Sequence, residues 1–143
     1  MNTTNTLTLD VVTPEAVAVS RQVPMVVIPG MEGDFGVLPG HSPLISAIRP
    51  GIIKLYDAQG AVSGRFLVTG GFAEVTPERC TILATEIFDF ASTSRKDLEK
   101  RLETVKLLHT KAKNEREKLL AETEAEVVEK ALGIFISELD SHH

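Results

Sequence analysis

The chain has 143 residues, of which 43% are hydrophobic and 24% charged, and its 15 basic and 20 acidic side chains give a formal net charge of −5. These values are typical of one globular domain, or of a small domain with an appendage, and they exclude a chain disordered throughout. The mild acidity argues against nucleic acid as a partner, because proteins that bind it cluster basic residues against its phosphates. No apolar run approaches the ~20 residues that cross a bilayer, so no direct membrane insertion is expected.

The composition changes near residue 90. Nine of the ten glycines and all seven prolines precede that position, and residues 1–89 carry 14 charged side chains against 21 in residues 90–143. We therefore predict a sparsely charged domain over residues 1–89 and a densely charged arm over residues 90–143. The N-terminus shows neither signal-peptide nor transit-peptide features, which makes a cytosolic location the default.

The first part has the hydrophobic pattern of short strands. Residues 6–11 alternate between apolar and polar side chains, which predicts a strand with one buried face. The runs at 25–28, 66–68 and 82–84 are continuously apolar, which is typical of strands covered on both sides. Proline and glycine pairs punctuate these segments with turns. Eight or more short strands at this spacing predict an antiparallel β-sandwich or barrel.

A glycine-rich segment at residues 30–36 invites comparison with phosphate-binding loops. It lacks the following Lys-Ser/Thr of a Walker loop, and the carboxylates of Glu32 and Asp34 would repel phosphate. We interpret the segment as a tight connection between strands. Its acids, combined with the apolar Met31 and Phe35, suit a contact surface on a rigid scaffold.

The histidine of the turn-rich part, His41, is the best candidate for catalysis. A serine hydrolase would pair it with Ser42 or Ser46 and an acid that the sequence does not identify. Neighbours in sequence are poor candidates for a triad, because triads are assembled from distant positions. No catalytic residue is therefore predicted.

The remaining candidates have simpler explanations. Cys80 is the only cysteine, so it forms no intramolecular disulfide, and its apolar strand segment predicts a small buried side chain. His142 and His143 are as readily a remnant of a purification tag as functional residues. No metal site is predicted.

Capping signals divide the second part into helices. Ser94 and Asp97 have the spacing of a capping box, which predicts a helix that starts there. A narrow apolar stripe follows at three- and four-residue steps, at Leu98, Leu102, Val105, Leu108 and Ala112. Thr123 and Glu126 repeat the capping signature, so we predict a second helix there and a break between Asn114 and Thr123.

Charge favours a hairpin of these two helices. Residues 93–113 carry a net charge of +4 and residues 114–140 a net charge of −5, so antiparallel packing would bring opposite charges together. A single long helix remains the alternative, because no glycine or proline lies between Ala91 and Leu132. Two helices alone bury little area, so we expect an arm that detaches readily.

Four ordered blocks of the sequence closely resemble the epsilon subunit family of the F-type, proton-translocating ATP synthase. They are LDVVTPE (9–15), VIPGMEGDFGVLPGHSPL (27–44), RPGI (49–52) and TGGFAEV (69–75). The resemblance covers about residues 7–88 and implies an N-terminal β-sandwich followed by a helical hairpin.

The resemblance also implies a function. Members of this family are non-catalytic rotor subunits of the central stalk, which couple proton flow through the c ring to ATP synthesis. The implied partners are the gamma subunit and the c ring, with the alpha/beta catalytic head as a partner of the helical arm, through which the arm would regulate ATP hydrolysis. The implied location is peripheral, on the cytoplasmic side of the bacterial inner membrane.

Three partner contacts follow from the same resemblance. Asp34 takes the acidic position that touches the polar loops of the c ring, and His41 takes the position near the gamma interface. We assign Glu32 a supporting role at the same rim as Asp34.

The family's nucleotide motif, Ile/Leu-Asp-x-x-Arg-Ala, is degenerate in this chain. Lys96 precedes the acid, Lys100 replaces the arginine and Arg101 replaces the alanine. We therefore predict no cofactor. The alternative function is a free-standing, ligand-binding β-sandwich with a coiled-coil dimerisation tail, which would self-associate and ignore gamma.

Overall fold

The computed structural model describes residues 5–141, and the chain divides after Ala91 into two compact units. Within that range the first unit contains ten strands and the second contains two helices. The interpretation of His142 and His143 lies outside the described residues. The architecture confirms the predicted β-sandwich followed by a pair of helices.

The strands of the first unit are short, with three to seven residues each. They are β1 (Leu7–Val12), β2 (Val17–Val23), β3 (Met25–Gly30), β4 (Gly33–Val37), β5 (Leu44–Ile48), β6 (Gly51–Tyr56), β7 (Val62–Val68), β8 (Gly71–Val75), β9 (Arg79–Ala84) and β10 (Ile87–Asp89).

The strands form one sheet that folds into two layers. Its order is β10-β7-β6-β3-β5-β8-β9-β1-β2, and β4 pairs with the other edge of β3. The two halves of this order are joined through one pair, Gly30 with Ile48, because β3 otherwise pairs with β4 and β6. We call β10, β7, β6, β3 and β4 the first layer, and β5, β8, β9, β1 and β2 the second.

A single hydrophobic core lies between the layers. In β1 the side chains of Leu7, Leu9 and Val11 are buried, which confirms the alternation predicted for residues 6–11. The first layer contributes Ile28 and Val26, among others, to the same cluster. Burial of apolar area at about 25 cal/mol per Å² makes this core the main source of stability.

Two features of the sheet differ from the prediction. Strands β1 and β9 pair in parallel, because most of the domain separates them in sequence and no hairpin fixes their relative direction. The run at 82–84 is not covered on both sides, since Ile82 and Ala84 enter the core whereas Leu83 is 54% exposed. An apolar side chain therefore lies on the outer face of the second layer.

The first helix begins where the sequence predicts. Helix α1 (Arg95–Thr110) has Ser94 as its N-cap, with the Asp97 amide donating to the Ser94 hydroxyl at 3.1 Å. The Asp97 carboxylate accepts the Ser94 amide at 3.3 Å, which completes the capping box. These bonds satisfy amides that a helix start otherwise leaves unpaired.

The N-cap of the second helix lies nine residues before the predicted cap at Thr123. Helix α2 (Glu115–Asp140) is capped by Asn114, whose side chain accepts the Glu117 amide at 2.9 Å. The Glu117 carboxylate accepts the Lys113 amide at 3.0 Å. Because this earlier Asn/Glu pair already ends the connection, the pair predicted at Thr123 lies inside the helix.

Opposite charges join the two helices into the predicted hairpin. Arg101 of α1 forms an ion pair with Glu124 of α2, and His109 Nε2 lies 3.1 Å from Glu122 Oε2. Leu98 and Val105 of α1 are buried. Within residues 5–141 neither helix has both the length and the apolar character required to cross a membrane.

Candidate functional site

The glycine-rich segment is a hairpin whose turn projects from the first layer. Pairing of β3 with β4 continues to Gly30 and Gly33, so Met31 and Glu32 form a two-residue turn. This corrects the interpretation of residues 30–36 as one connection, since β4 already begins at Gly33. A φ of +131° at Gly33 is readily adopted by glycine.

Close packing fixes the base of this turn. A Cβ added at Gly30 would lie 2.8 Å from the Gly33 carbonyl oxygen and 2.9 Å from the ring of Phe35. The Phe35 side chain packs in turn against the hydrophobic core. The base therefore has no room for a side chain at Gly30, and the turn is built on a rigid support.

Arg49 holds the turn from the connection between β5 and β6. Its guanidinium donates to the Gly30 carbonyl oxygen and to Asp34 Oδ1, at 2.6 Å in each case. The Arg49 main-chain amide donates to the Pro29 carbonyl oxygen at 2.9 Å, and the Met31 amide donates to Ala47 O at 3.0 Å. The turn is thus bound to β5 by a main-chain contact and to the β5–β6 connection by the Arg49 side chain.

The two predicted acids of the turn have different surroundings. The Asp34 side chain is 62% exposed but forms the ion pair with Arg49. Glu32 is exposed at the turn, and within residues 5–141 its side chain has no ion-pair or hydrogen-bond partner. Met31 beside it is 62% exposed.

The third predicted contact residue, His41, lies at the other end of the sandwich. It follows the end of β4 and precedes Leu44, which pairs with Val75, whereas the turn lies near Ile48 at the opposite end of β5. The amide of Gly40 donates to the Pro77 carbonyl oxygen at 2.8 Å, which ties this loop to the β8–β9 turn. The structure therefore brings Glu32 and Asp34 together but not His41.

A row of apolar side chains crosses the outer face of the second layer. Successive register partners in this row are Ala47, Phe72, Leu83, Val12 and Val17. Phe72 is 57% exposed and Val17 61%. We call this row, together with Ile45 at 73% exposure, the apolar face. Such a contiguous exposed patch marks an interaction surface more often than isolated apolar residues do.

The roles of Arg49 and of the apolar face are not predicted by the sequence. Arg49 stood in one of the recognised blocks, but nothing in its local pattern indicates a partner 15 residues away. The exposure of Phe72 and Leu83 could not be predicted, because the sequence pattern of a strand does not show whether an apolar residue is covered by its own chain or by another protein.

The hydrolase candidates are not assembled into a triad by the described contacts. His41 Nδ1 lies 2.7 Å from the main-chain oxygen of Ser42, and the Ser46 hydroxyl donates to the main-chain oxygen of Ala47 at 3.0 Å. The imidazole of His41 thus contacts the main chain of Ser42 rather than its hydroxyl, and the Ser46 hydroxyl is bonded to the main chain rather than to the imidazole.

Cys80 is enclosed in the core, and burial raises its thiol pKa from 9.0 to about 12. A raised pKa keeps the thiol neutral, and the neutral thiol is a poor nucleophile.

We expect native protein at pH 8 to resist iodoacetamide, and protein unfolded in urea to incorporate one equivalent, as measured by mass spectrometry. Rapid stoichiometric labelling of native protein would contradict the burial.

A groove between α1 and α2 is lined by side chains of both charges. Lys106 and His109 of α1 face Glu122, Glu126 and Glu129 of α2. Carboxylates outnumber the lysine, which is unfavourable for a phosphate group. Lys96 and Lys100, which depart from the family's nucleotide motif, are exposed on α1. The absence of a nucleotide cofactor stays a prediction. Within residues 5–141 no group of three or more His, Cys, Asp or Glu side chains could hold a metal ion.

Comparisons with known proteins give the family of the chain. Residues 6–89 match the family model described as the ATP synthase delta/epsilon chain, β-sandwich domain. The ATP synthase epsilon chain of Rhodospirillum rubrum is 45% identical over 127 residues, which cover 89% of this chain and 93% of that protein. The epsilon chain of Rhodospirillum centenum is 42% identical over 94% of this chain and 95% of its own length.

Solved structures share the fold. A chain in the cryo-EM structure of the Euglena gracilis mitochondrial ATP synthase, which comprises OSCP, F1 and the c ring, aligns with a TM-score of 0.66. It is 20% identical, and the alignment covers 97% of this chain and 84% of that one. With the relatives above, the resemblance recognised in the four sequence blocks is confirmed: the chain belongs to the ATP synthase epsilon chain family.

Proposed function

We propose that this chain is a non-catalytic rotor subunit of a bacterial proton-translocating ATP synthase, in which its sandwich joins the gamma subunit to the c ring. The observation that carries the proposal is the exposed apolar face of the second layer, with the polar turn at one end of the same domain. A domain with two unlike surfaces suits a connecting subunit.

The gamma subunit covers the apolar face in this proposal. Phe72, Leu83 and Ile45 are each more than half exposed, and together they form the kind of apolar centre that stable interfaces desolvate. His41 belongs to the loop that is bound to the β8–β9 turn, so it lies at one end of the same layer. This supports the role near gamma that the family resemblance implies for it.

The c ring contacts the turn between β3 and β4. Met31 and Glu32 are exposed, and Asp34 and Arg49 lie directly behind them. Packing at Gly30 and the Arg49 contacts make this turn rigid, so little conformational entropy is lost when it binds. Contact with both gamma and the ring would hold the chain at the cytoplasmic side of the inner membrane as a peripheral protein.

The arm carries a second apolar surface at its turn. Leu107 and Leu108 of α1, and Leu119 and Leu120 of α2, are each more than half exposed. Basic side chains surround the same turn at Lys111, Lys113, Arg116 and Lys118. This combination suits an acidic, partly apolar surface, and we assign that surface to the alpha/beta head, where the arm would restrain ATP hydrolysis.

Reconstitution tests the function. All other subunits of the ATP synthase, including gamma, the c ring and the stator, are assembled in vesicles with or without this chain, and proton-driven ATP synthesis is measured. We expect one copy of the chain per gamma and a clear gain in coupled synthesis. A chain that self-associates and does not bind gamma would contradict the proposal and favour the dimerising alternative. The four exposed leucines of the arm are also changed to serine, and ATP hydrolysis is measured. If hydrolysis is unaffected, only the proposed regulatory role of the arm is contradicted.

A further inference from the structure

The C-terminal part of α2 is helical against its local sequence preferences. Residues 134–136 read Ile-Phe-Ile, and β-branched and aromatic side chains favour strands over helices. The last turn contains Glu138 and Asp140 and no basic side chain, although negative charge at the C-terminal end of a helix opposes its dipole. Residues 115–122, by contrast, are all strong helix formers.

Gly133 precedes this segment, and packing does not require a glycine there. It is the only glycine after residue 90. Gly133 is exposed, and a Cβ added to it would meet nothing within 4 Å. A glycine inside a helix is less stable than alanine, because its backbone loses more conformational freedom on folding. Gly133 is therefore a point at which α2 can unwind at low cost.

Packing supplies the stability that the local sequence lacks. Phe135 is 4% exposed and continues the buried stripe of Val128 and Ala131. Helix α2 has 26 residues and α1 has 16, and both adjoin the connection at residues 111–114, so the final turn of α2 extends past the N-terminal end of α1. Because α1 does not support that turn, its helical structure depends on the burial of Phe135.

We propose that residues 133–140 form a conditional helix, which is helical while Phe135 is buried and unwinds as one unit from Gly133 onward when this burial is lost. Residues 115–132 stay helical in both states. The unwinding shortens α2 and exposes the apolar side chains of residues 134–136, so one local event changes both the length and the surface of the arm. This behaviour does not depend on which partner binds the arm.

Amide hydrogen exchange of the full chain, followed residue by residue by NMR, measures this unwinding. Each helical amide donates to the carbonyl oxygen four residues before it, so unwinding from Gly133 releases the amides of residues 134–140 together. After correction for intrinsic rates, we expect these amides to exchange at one common rate, at least about tenfold faster than those of residues 119–130. Ordinary fraying would give rates that rise gradually towards the end of the helix, with Ile134 and Phe135 as slow as residues 119–130. That result would overturn the proposal.

Two matched substitutions separate local unwinding from opening of the whole helix. Gly133→Ala and Thr123→Ala each raise the helix propensity at an exposed position of α2. Gly133→Ala should slow the exchange of residues 134–140 by about fivefold. Thr123→Ala should leave that exchange unchanged, because residue 123 is helical in both states. Equal slowing by the two variants would mean that α2 opens as a whole, which excludes independent unwinding.

A third variant, Phe135→Ala, removes the buried side chain itself. We expect residues 134–140 of this variant to exchange nearly as fast as an unstructured peptide, whereas the rates of residues 119–130 should change by no more than about twofold. Addition of Gly133→Ala to Phe135→Ala should restore part of the protection. Loss of protection throughout α2 in Phe135→Ala would contradict the proposal, because Phe135 would then hold the whole helix rather than its last part.

Discussion

Replacement of Gly71 by alanine is expected to unfold the β-sandwich domain. Gly71 begins β8 with a φ of +147°, and an added Cβ would lie 2.0 Å from the main-chain oxygen of Leu83. Neither side can yield easily, because Gly71 pairs with Ile48 on one side and with Ala84 on the other. We expect a loss of at least about 4 kcal/mol in the free energy of unfolding, which is a large part of the roughly 5–15 kcal/mol that stabilises a typical domain.

The matched control separates backbone conformation from steric overlap. Gly60 has a φ of +84°, but a Cβ added there meets nothing within 4 Å. Gly60→Ala should therefore cost only the conformational penalty of about 1–2 kcal/mol. Urea unfolding followed by circular dichroism measures both variants. Equal midpoints for Gly60→Ala and Gly71→Ala would mean that the overlap at Leu83 is relieved without cost.

The strands could be predicted because half-buried strands impose a period of two on the sequence. Leu7, Leu9 and Val11 alternate with polar residues, and the structure buries them. Leu83 illustrates the limit of this reasoning. Its neighbours Ile82 and Ala84 are buried in the core, whereas Leu83 lies on the outer face. The three residues form a continuous apolar run, which is also the pattern of a strand that is covered on both sides. Periodicity reports which side chains avoid water in the functional state, but it does not identify the chain that covers them.

The predicted start of the second helix depends on which of two similar capping pairs is chosen, the one at Asn114 or the one at Thr123. Ser94 with Asp97 and Asn114 with Glu117 both cap helices in the structure. Thr123 and Glu126 have the same spacing, but uninterrupted helical residues surround them. A capping signal is therefore informative at the end of a helical pattern and misleading within one.

The candidate site was predictable only in part. Family resemblance pointed to Glu32, Asp34 and His41, and the structure adds that the first two share a turn while His41 lies at the opposite end of the sandwich. The contact of Asp34 with Arg49 could not be predicted, because it depends on the pairing of β3 with β5 rather than on local sequence. This contact distinguishes Asp34 from Glu32, although both are acidic residues of the same short segment.

Replacement of Phe72 by glutamate is expected to weaken the binding of gamma strongly while the domain stays folded. Phe72 belongs to the apolar face, where it lies between Ala47 and Leu83, and it is 57% exposed. A carboxylate there would have to be desolvated against an apolar partner without a compensating charge. We expect a loss of at least about 2 kcal/mol in binding free energy, or roughly 30-fold in affinity. Isothermal titration calorimetry with purified gamma measures it.

A matched variant shows whether the effect belongs to this face. Val62 is a 40% exposed apolar residue on β7 of the first layer, so Val62→Glu introduces the same charge away from the apolar face. It should bind gamma like the unmodified chain, and both variants should unfold at nearly the same urea concentration as that chain. Equal weakening by the two variants would indicate a nonspecific effect of charge. Normal binding by Phe72→Glu would exclude the apolar face as the gamma interface, because a tight interface does not bury an unpaired carboxylate at its centre without a large cost.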